Sequence, residues 1–190
     1  MELKIWARTM LAVQRHLGKV AKKIDEIIMK KAVASVYVTS KNLMEQSCEN
    51  VSNFILNMSE SKVNLINLNT ICVNALKGID KISAKILILK HIDGRSGAEI
   101  SKLLNLSDRT YYRRLNSAYE SIACWLKKNN YTPEFFEKHF SKEGWIMEAY
   151  YLSKSLFEAN NKENETVFFE NNFFGSVVSK ITKAAHSSYS

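Results

Sequence analysis

The chain has 190 residues, 46% apolar and 24% charged, with one proline and six glycines; that length accommodates one or two ordinary cores rather than a multi-domain enzyme, and so few helix breakers favour an all-α fold over a turn-rich sandwich. The net charge of +8 is localised: residues 1–36 hold 8 Lys and Arg against 3 Asp and Glu, and residues 77–128 hold 11 against 5, whereas 37–76 and 129–190 are slightly acidic. A basic excess confined to two segments is the footprint of a nucleic-acid binder, although a solvated basic face gives the same count.

The first predicted element is a long helix over about residues 2–36. Leu3, Trp6, Met10, Val13, Leu17, Val20, Ile24 and Ile27 recur in alternating steps of three and four, with Lys4, Arg8, Arg15, Lys19, Lys22 and Lys23 off that stripe. Such an a/d stripe fits two arrangements, a homodimer seam through residues 3–34 or a helix packed on its own domain. Two further helices are expected at 38–60 and 62–78, parted near Met58-Ser59-Glu60-Ser61-Lys62, with Gly78 as the stop.

Residues 79–128 divide into three helices and two short turns. Lys81 to Ile92 forms the first, with Ile82, Ile86 and Leu89 on one face, and Asp93-Gly94-Arg95 ends it. Ser96 and Glu99 have the spacing of a capping box, so Gly97 to Leu104 forms a second, short helix. Asn105 stands where a left-handed residue is required, and asparagine tolerates that conformation better than most. Ser107 then caps a third helix running to about Lys127. Two short helices joined by a tight turn, the second amphipathic and basic at its start, have the form of a helix-turn-helix. Ile100, Leu103 and Leu106 are expected to set its helices across each other, with Ser101 keeping their close approach small.

Helical geometry separates the paired residues of Arg109-Thr110-Tyr111-Tyr112-Arg113-Arg114. Advancing about 100° per residue, Leu115, Ala118, Ile122, Trp125 and Leu126 fall within about 60° of Tyr111 and belong with it in the core. Arg109, Arg113, Asn116 and Glu120 fall near the opposite face, the one that can enter a major groove. Arg109 and Arg113 could fork onto guanine and Asn116 pair with adenine. Tyr112 and Arg114 flank that face, where phosphate contacts are commoner, and Lys102 is a further phosphate candidate. Ser107 and Thr110 suit capping and phosphate contact at the helix start.

After a break at Asn129-Asn130-Tyr131, Thr132 and Pro133 start a helix over about 133–140, and another follows over 142–158. A polar loop, Ala159 to Thr166, then precedes Phe168, Phe169, Phe173 and Phe174, which either dock on the helical body or form a partner-binding patch. The end, His186-Ser187-Ser188-Tyr189-Ser190, reads as frayed. The chain thus falls into an N-terminal helical region (1–78), a helix-turn-helix domain (79–130) and a C-terminal helical region with the aromatic cluster (131–190).

Cys48, Cys72 and Cys124 and the four histidines show no metal-ligand spacing, and no glycine-rich phosphate loop or nucleophile–base pair stands out. The expectation is a protein that is not an enzyme and needs no cofactor or metal. The first residues lack the apolar region of a signal peptide, and no run approaches a membrane span, so a cytoplasmic protein with no membrane partner is expected.

Residues 79–128 resemble the sigma-factor region-four helix-turn-helix, and more closely its variant in phage late-gene activators of the ArpU and RinA type. The residues that carry the resemblance are Glu99-Ile100-Ser101, Leu104-Asn105-Leu106-Ser107 and Arg109 to Leu115, with Ala118 beyond. It implies a bacterial or phage transcription regulator that binds double-stranded DNA at a promoter or operator and touches RNA polymerase. Sigma region four commonly has valine or isoleucine at the place of Tyr111 and often glycine at that of Asn105; the tyrosine points to the ArpU-like branch. Residues 1–78 show no acidic and aromatic region-two stretch, which favours an activator or repressor over a divergent sigma factor. A protein-interaction module using the motif as a scaffold is the remaining alternative.

Overall fold

The computed structural model describes residues 1–36 and 41–158, and these form seven helices with no strand among them. Helix α1 (Glu2–Val36) and α2 (Lys41–Lys77) are long; α3 (Lys81–Leu87) runs into a π-helical turn (Ile88–Ile92). Then follow α4 (Gly97–Leu103), α5 (Asp108–Lys128), α6 (Pro133–Phe140) and α7 (Gly144–Glu158). The expected loop and phenylalanine cluster of 159–174, and the serine-rich end, lie outside the described residues.

Helix α1 is the central element. Its stripe is buried within the chain: Trp6, Met10, Val13 and Val20 are inaccessible to solvent, and Leu17, Ile24 and Ile27 nearly so. The partners are α2, α5, α6, α7 and the π turn. Of the two arrangements its periodicity allows, the stripe has the internal one within this chain, which leaves the homodimer seam expected through 3–34 without support from these contacts. The reason is geometric: a long helix buried by several shorter ones needs the same apolar repeat as a coiled coil. Trp6 anchors this core, stacked on Phe136 at 5.0 Å and on Tyr150 at 4.4 Å between ring centroids. Emptying a site of that size costs about 3–5 kcal/mol.

The two helices expected at 38–60 and 62–78 are one helix, α2. Phe54, Met58, Ser61, Leu65, Leu68, Cys72 and Ala75 keep alternating steps of four and three straight through the expected break, and Phe54, Leu65, Leu68, Cys72 and Ala75 are buried. No proline or glycine interrupts the Ser59–Lys62 stretch, and its polar residues are tied down from outside. Lys62 bonds the Asp25 carboxylate of α1 at 2.7 Å. Glu143, pushed above the usual carboxyl range by burial, is hydrogen-bonded to Ser61 and Asn64. The apolar residues that blurred the period, Val63 and Ile66, are about half exposed.

Side-chain caps set the starts of the shorter helices. The Asp80 carboxylate accepts from the Ile82 and Ser83 amides, Ser96 from Glu99, Ser107 from Thr110 and Thr132 from Phe135. Each cap contributes about 1 kcal/mol. Gly78, after α2, lies under the Trp125 indole, where any Cβ would collide with the ring nitrogen. That contact locks the end of α2 against α5.

Candidate nucleic-acid interface

The turn between α4 and α5 is set by two overlapping backbone bonds. The Leu106 amide donates to the Ser101 carbonyl at 2.8 Å and the Asn105 amide to the Lys102 carbonyl at 3.3 Å, with Asn105 at φ 51°. This is the Schellman arrangement, which needs a left-handed residue at that one position. Ser96 and Glu99 form the expected capping box, and both the Ser96 amide and hydroxyl donate to the Glu99 carboxylate at 2.8 Å. Between them, these devices fix α4 at both ends.

Helix packing within the motif differs from expectation at one residue. Ile100 is fully buried and Ser101 nearly so, and Leu106 packs on the core, but Leu103 is 51% exposed. Leu104 takes the inward place. Helix α4 has only two turns before the Schellman bond tightens its end, so the chain rotates the residue after Leu103 into the core. Ile82 is likewise exposed while Ile86 and Leu89 are buried.

Helix α5 divides as its periodicity requires. Tyr111, Leu115, Ala118, Ile122 and Leu126 are buried, and Trp125 packs against their edge. Arg109 and Arg113 stand exposed on the far side, with Lys102 exposed at the end of α4. Tyr112 is half-buried, its ring edge-on to Tyr111 at 5.0 Å. The Ser107 and Thr110 hydroxyls are bonded to each other at 2.9 Å above the first turn. Half-buried Arg114 turns from the Arg109–Arg113 face toward the start of α3. There Asp80 is held below its usual carboxylate range, chiefly by hydrogen bonds from Ser83 and further by the Arg114 charge.

Asn116 is on the outer face, yet it is engaged. Lys4 of α1 donates to the Asn116 amide oxygen at 2.8 Å and to Glu120 at 2.9 Å, and the Asn116 amide nitrogen donates to Glu120 at 3.2 Å. Both halves of the group that would pair with adenine are therefore held by neighbours. Sequence reading did not include Lys4, because the bond spans 112 residues; the signal present was the position of Lys4 off the apolar stripe of α1.

Beside this clasp lies a buried polar pair. The π turn places His91 in the core, 2.6 Å from the Tyr119 hydroxyl. Arg8 lies 5.3 Å above the Tyr119 ring and 5.9 Å from that of Phe157, which also lies under Lys4. Burial and then the charges of Lys90, Arg8 and Arg15 hold the His91 imidazole well below its ordinary pKa. Burial, Arg15 and Lys19 bring His16 down to about 4. Both rings are neutral at pH 7, chiefly because they are buried, with the neighbouring cations adding to the effect. Among the described residues no group of three His, Cys, Asp or Glu could hold a metal ion, and no helix is long and apolar enough to cross a membrane.

Comparison of the chain with protein-family models, with curated proteins and with solved structures finds no match.

Proposed function

We propose that this protein is a sequence-specific DNA-binding transcription regulator of bacterial or phage type, with α5 entering the major groove from its N-terminal end. The observation that supports this most is the combination of a capped α4, a Schellman turn and a capped α5 whose outer face presents Arg109 and Arg113 to solvent. An arginine fork matches the O6 and N7 acceptors of guanine. Exposed Lys102, with the hydroxyls of Ser107 and Thr110, supplies phosphate contacts that fix the register. Asn116 is a secondary reader at most, since Lys4 and Glu120 hold its amide.

The test is fluorescence anisotropy with labelled duplexes, one selected from a random library by the full chain and one of shuffled sequence. The selected duplex should bind more tightly, and both affinities should fall steeply as salt rises. Equal affinity for the two would remove sequence specificity; absence of binding at low salt would remove the reading.

A further inference from the structure

Between Leu3 and Ile24, helix α1 contains six Lys and Arg and no Asp or Glu. Five of the six share one side. Taking Arg8 as zero and about 100° per residue, Lys4, Arg15, Lys19 and Lys22 all fall within about 40° of it. The row extends about 27 Å from Lys4 to Lys22 at 1.5 Å per residue. It ends where Glu26 enters the same side and pairs with Lys23 at 2.8 Å.

This row joins the outer face of α5 without a gap. Arg109, Arg113, Asn116 and Glu120 lie one turn apart along that face, and the last two are bonded to Lys4, the first member of the row. Arg8, next along, lies over Tyr119 of the same helix. Lys19 and Lys22 are exposed, Arg8 and Arg15 half-buried. Burial is the main cause of the depressed His16 and His91, and the charges of Arg15 and Lys19 on the first and of Arg8 and Arg15, after Lys90, on the second add to it.

We infer that the row Arg8, Arg15, Lys19 and Lys22 on α1 is a phosphate track, which holds the backbone of duplex DNA beyond the segment read by α5. The inference rests on the DNA-binding reading of α5 and adds a second, sequence-independent contact to it. Its length corresponds to about 8 base pairs at 3.4 Å per phosphate along one strand. Lys4 marks the corner between the two contacts: on one side of it lie Arg109 and Arg113 of α5, and on the other the half-buried Arg8 and Arg15 and the exposed Lys19 and Lys22. The footprint is therefore longer than one recognition helix covers, and extends to one side of it.

The test uses the full chain, a fluorescein-labelled duplex of arbitrary sequence, and the dependence of affinity on salt between about 50 and about 300 mM. Lys19→Ala/Lys22→Ala, two exposed substitutions on a helix, should flatten the plot of log affinity against log salt by about 2 units. It should leave the preference for a selected duplex over a shuffled one as in the parent. Lys19→Arg/Lys22→Arg should keep the parent slope. Adding Arg15→Ala should flatten the slope further, with circular dichroism confirming the fold. A parent slope in Lys19→Ala/Lys22→Ala overturns the track and leaves the row a solvated basic face, with α5 still standing as a DNA reader. A parent chain that binds no duplex overturns both.

Discussion

The ring of Tyr111 lies directly over Gly97, so that a Cβ on that glycine would come within 2.9 Å of Tyr111 Cε1. The first residue of α4 and the first inward residue of α5 thus set the approach of the two helices. Tyr111 is 1% exposed and cannot swing away. Gly97→Ala should therefore destabilise the protein by about 1–3 kcal/mol despite the better helix propensity of alanine. Most of that cost should disappear when Tyr111 is shortened to leucine. Urea unfolding of the two single variants and the double measures the coupling, and additive effects would show that the contact does not set the angle.

Arg113→Ala and Lys102→Ala separate base reading from backbone positioning. The first should relax preference at one base position, at about 1–3 kcal/mol of discrimination; the second should weaken binding to all sequences alike. Competition binding with a panel of single-base variants of the selected duplex reads the difference.

Asn116 offers a contrast on the same helix face. Because Lys4 and Glu120 occupy its amide, Asn116→Ala should change the ranking of that panel less than Arg113→Ala does. Lys4→Ala should release the amide oxygen, and Lys4→Ala/Glu120→Ala the whole amide, which should raise the effect of a subsequent Asn116→Ala. A large change of ranking in Asn116→Ala alone would mean that the clasp opens on DNA.

The neutral histidines predict acid sensitivity. Their folded pKa values lie below the unfolded value of about 6.5, so the unfolded chain binds more protons and stability falls as pH drops below it. Down to about pH 4.5 each histidine contributes up to about 1.4 kcal/mol per pH unit. His16→Gln should reduce the slope of stability against pH by up to one proton, measured by urea titration at about pH 7.5 as the reference and at about pH 6.5, 5.5 and 4.5 across that window. An unchanged slope would show that His16 protonates freely in the folded chain.

Leu17→Asp tests the role of the α1 stripe. Leu17 is 3% exposed inside the chain, so a carboxylate there should unfold the protein, at a cost of about 3–5 kcal/mol. Loss of the helical circular dichroism signal is expected. A folded variant of reduced mass would instead indicate a dimer seam.

Much of this fold was legible locally. The α1 stripe, the caps at Ser96, Ser107 and Thr132, and the left-handed Asn105 are properties of a few neighbouring residues, and each is found where its spacing places it. The division of Tyr111 from Arg109 and Arg113 follows from helical geometry alone. Three features were not legible, for three reasons. The α1 repeat reads the same for an internal and an intermolecular partner. The continuity of α2 depends on Lys62 meeting Asp25 and Glu143 meeting Ser61, groups far apart in sequence. The Lys4 clasp and the His91–Tyr119 pair join helices whose relative placement no periodicity encodes.

The most direct measurement is selection of duplexes from a random library by the parent chain and by Arg109→Ala/Arg113→Ala, followed by sequencing. The parent should enrich one motif containing guanine, and the variant, still folded by circular dichroism, should enrich none. The same motif from both proteins, or no enrichment by the parent, would contradict base reading by Arg109 and Arg113.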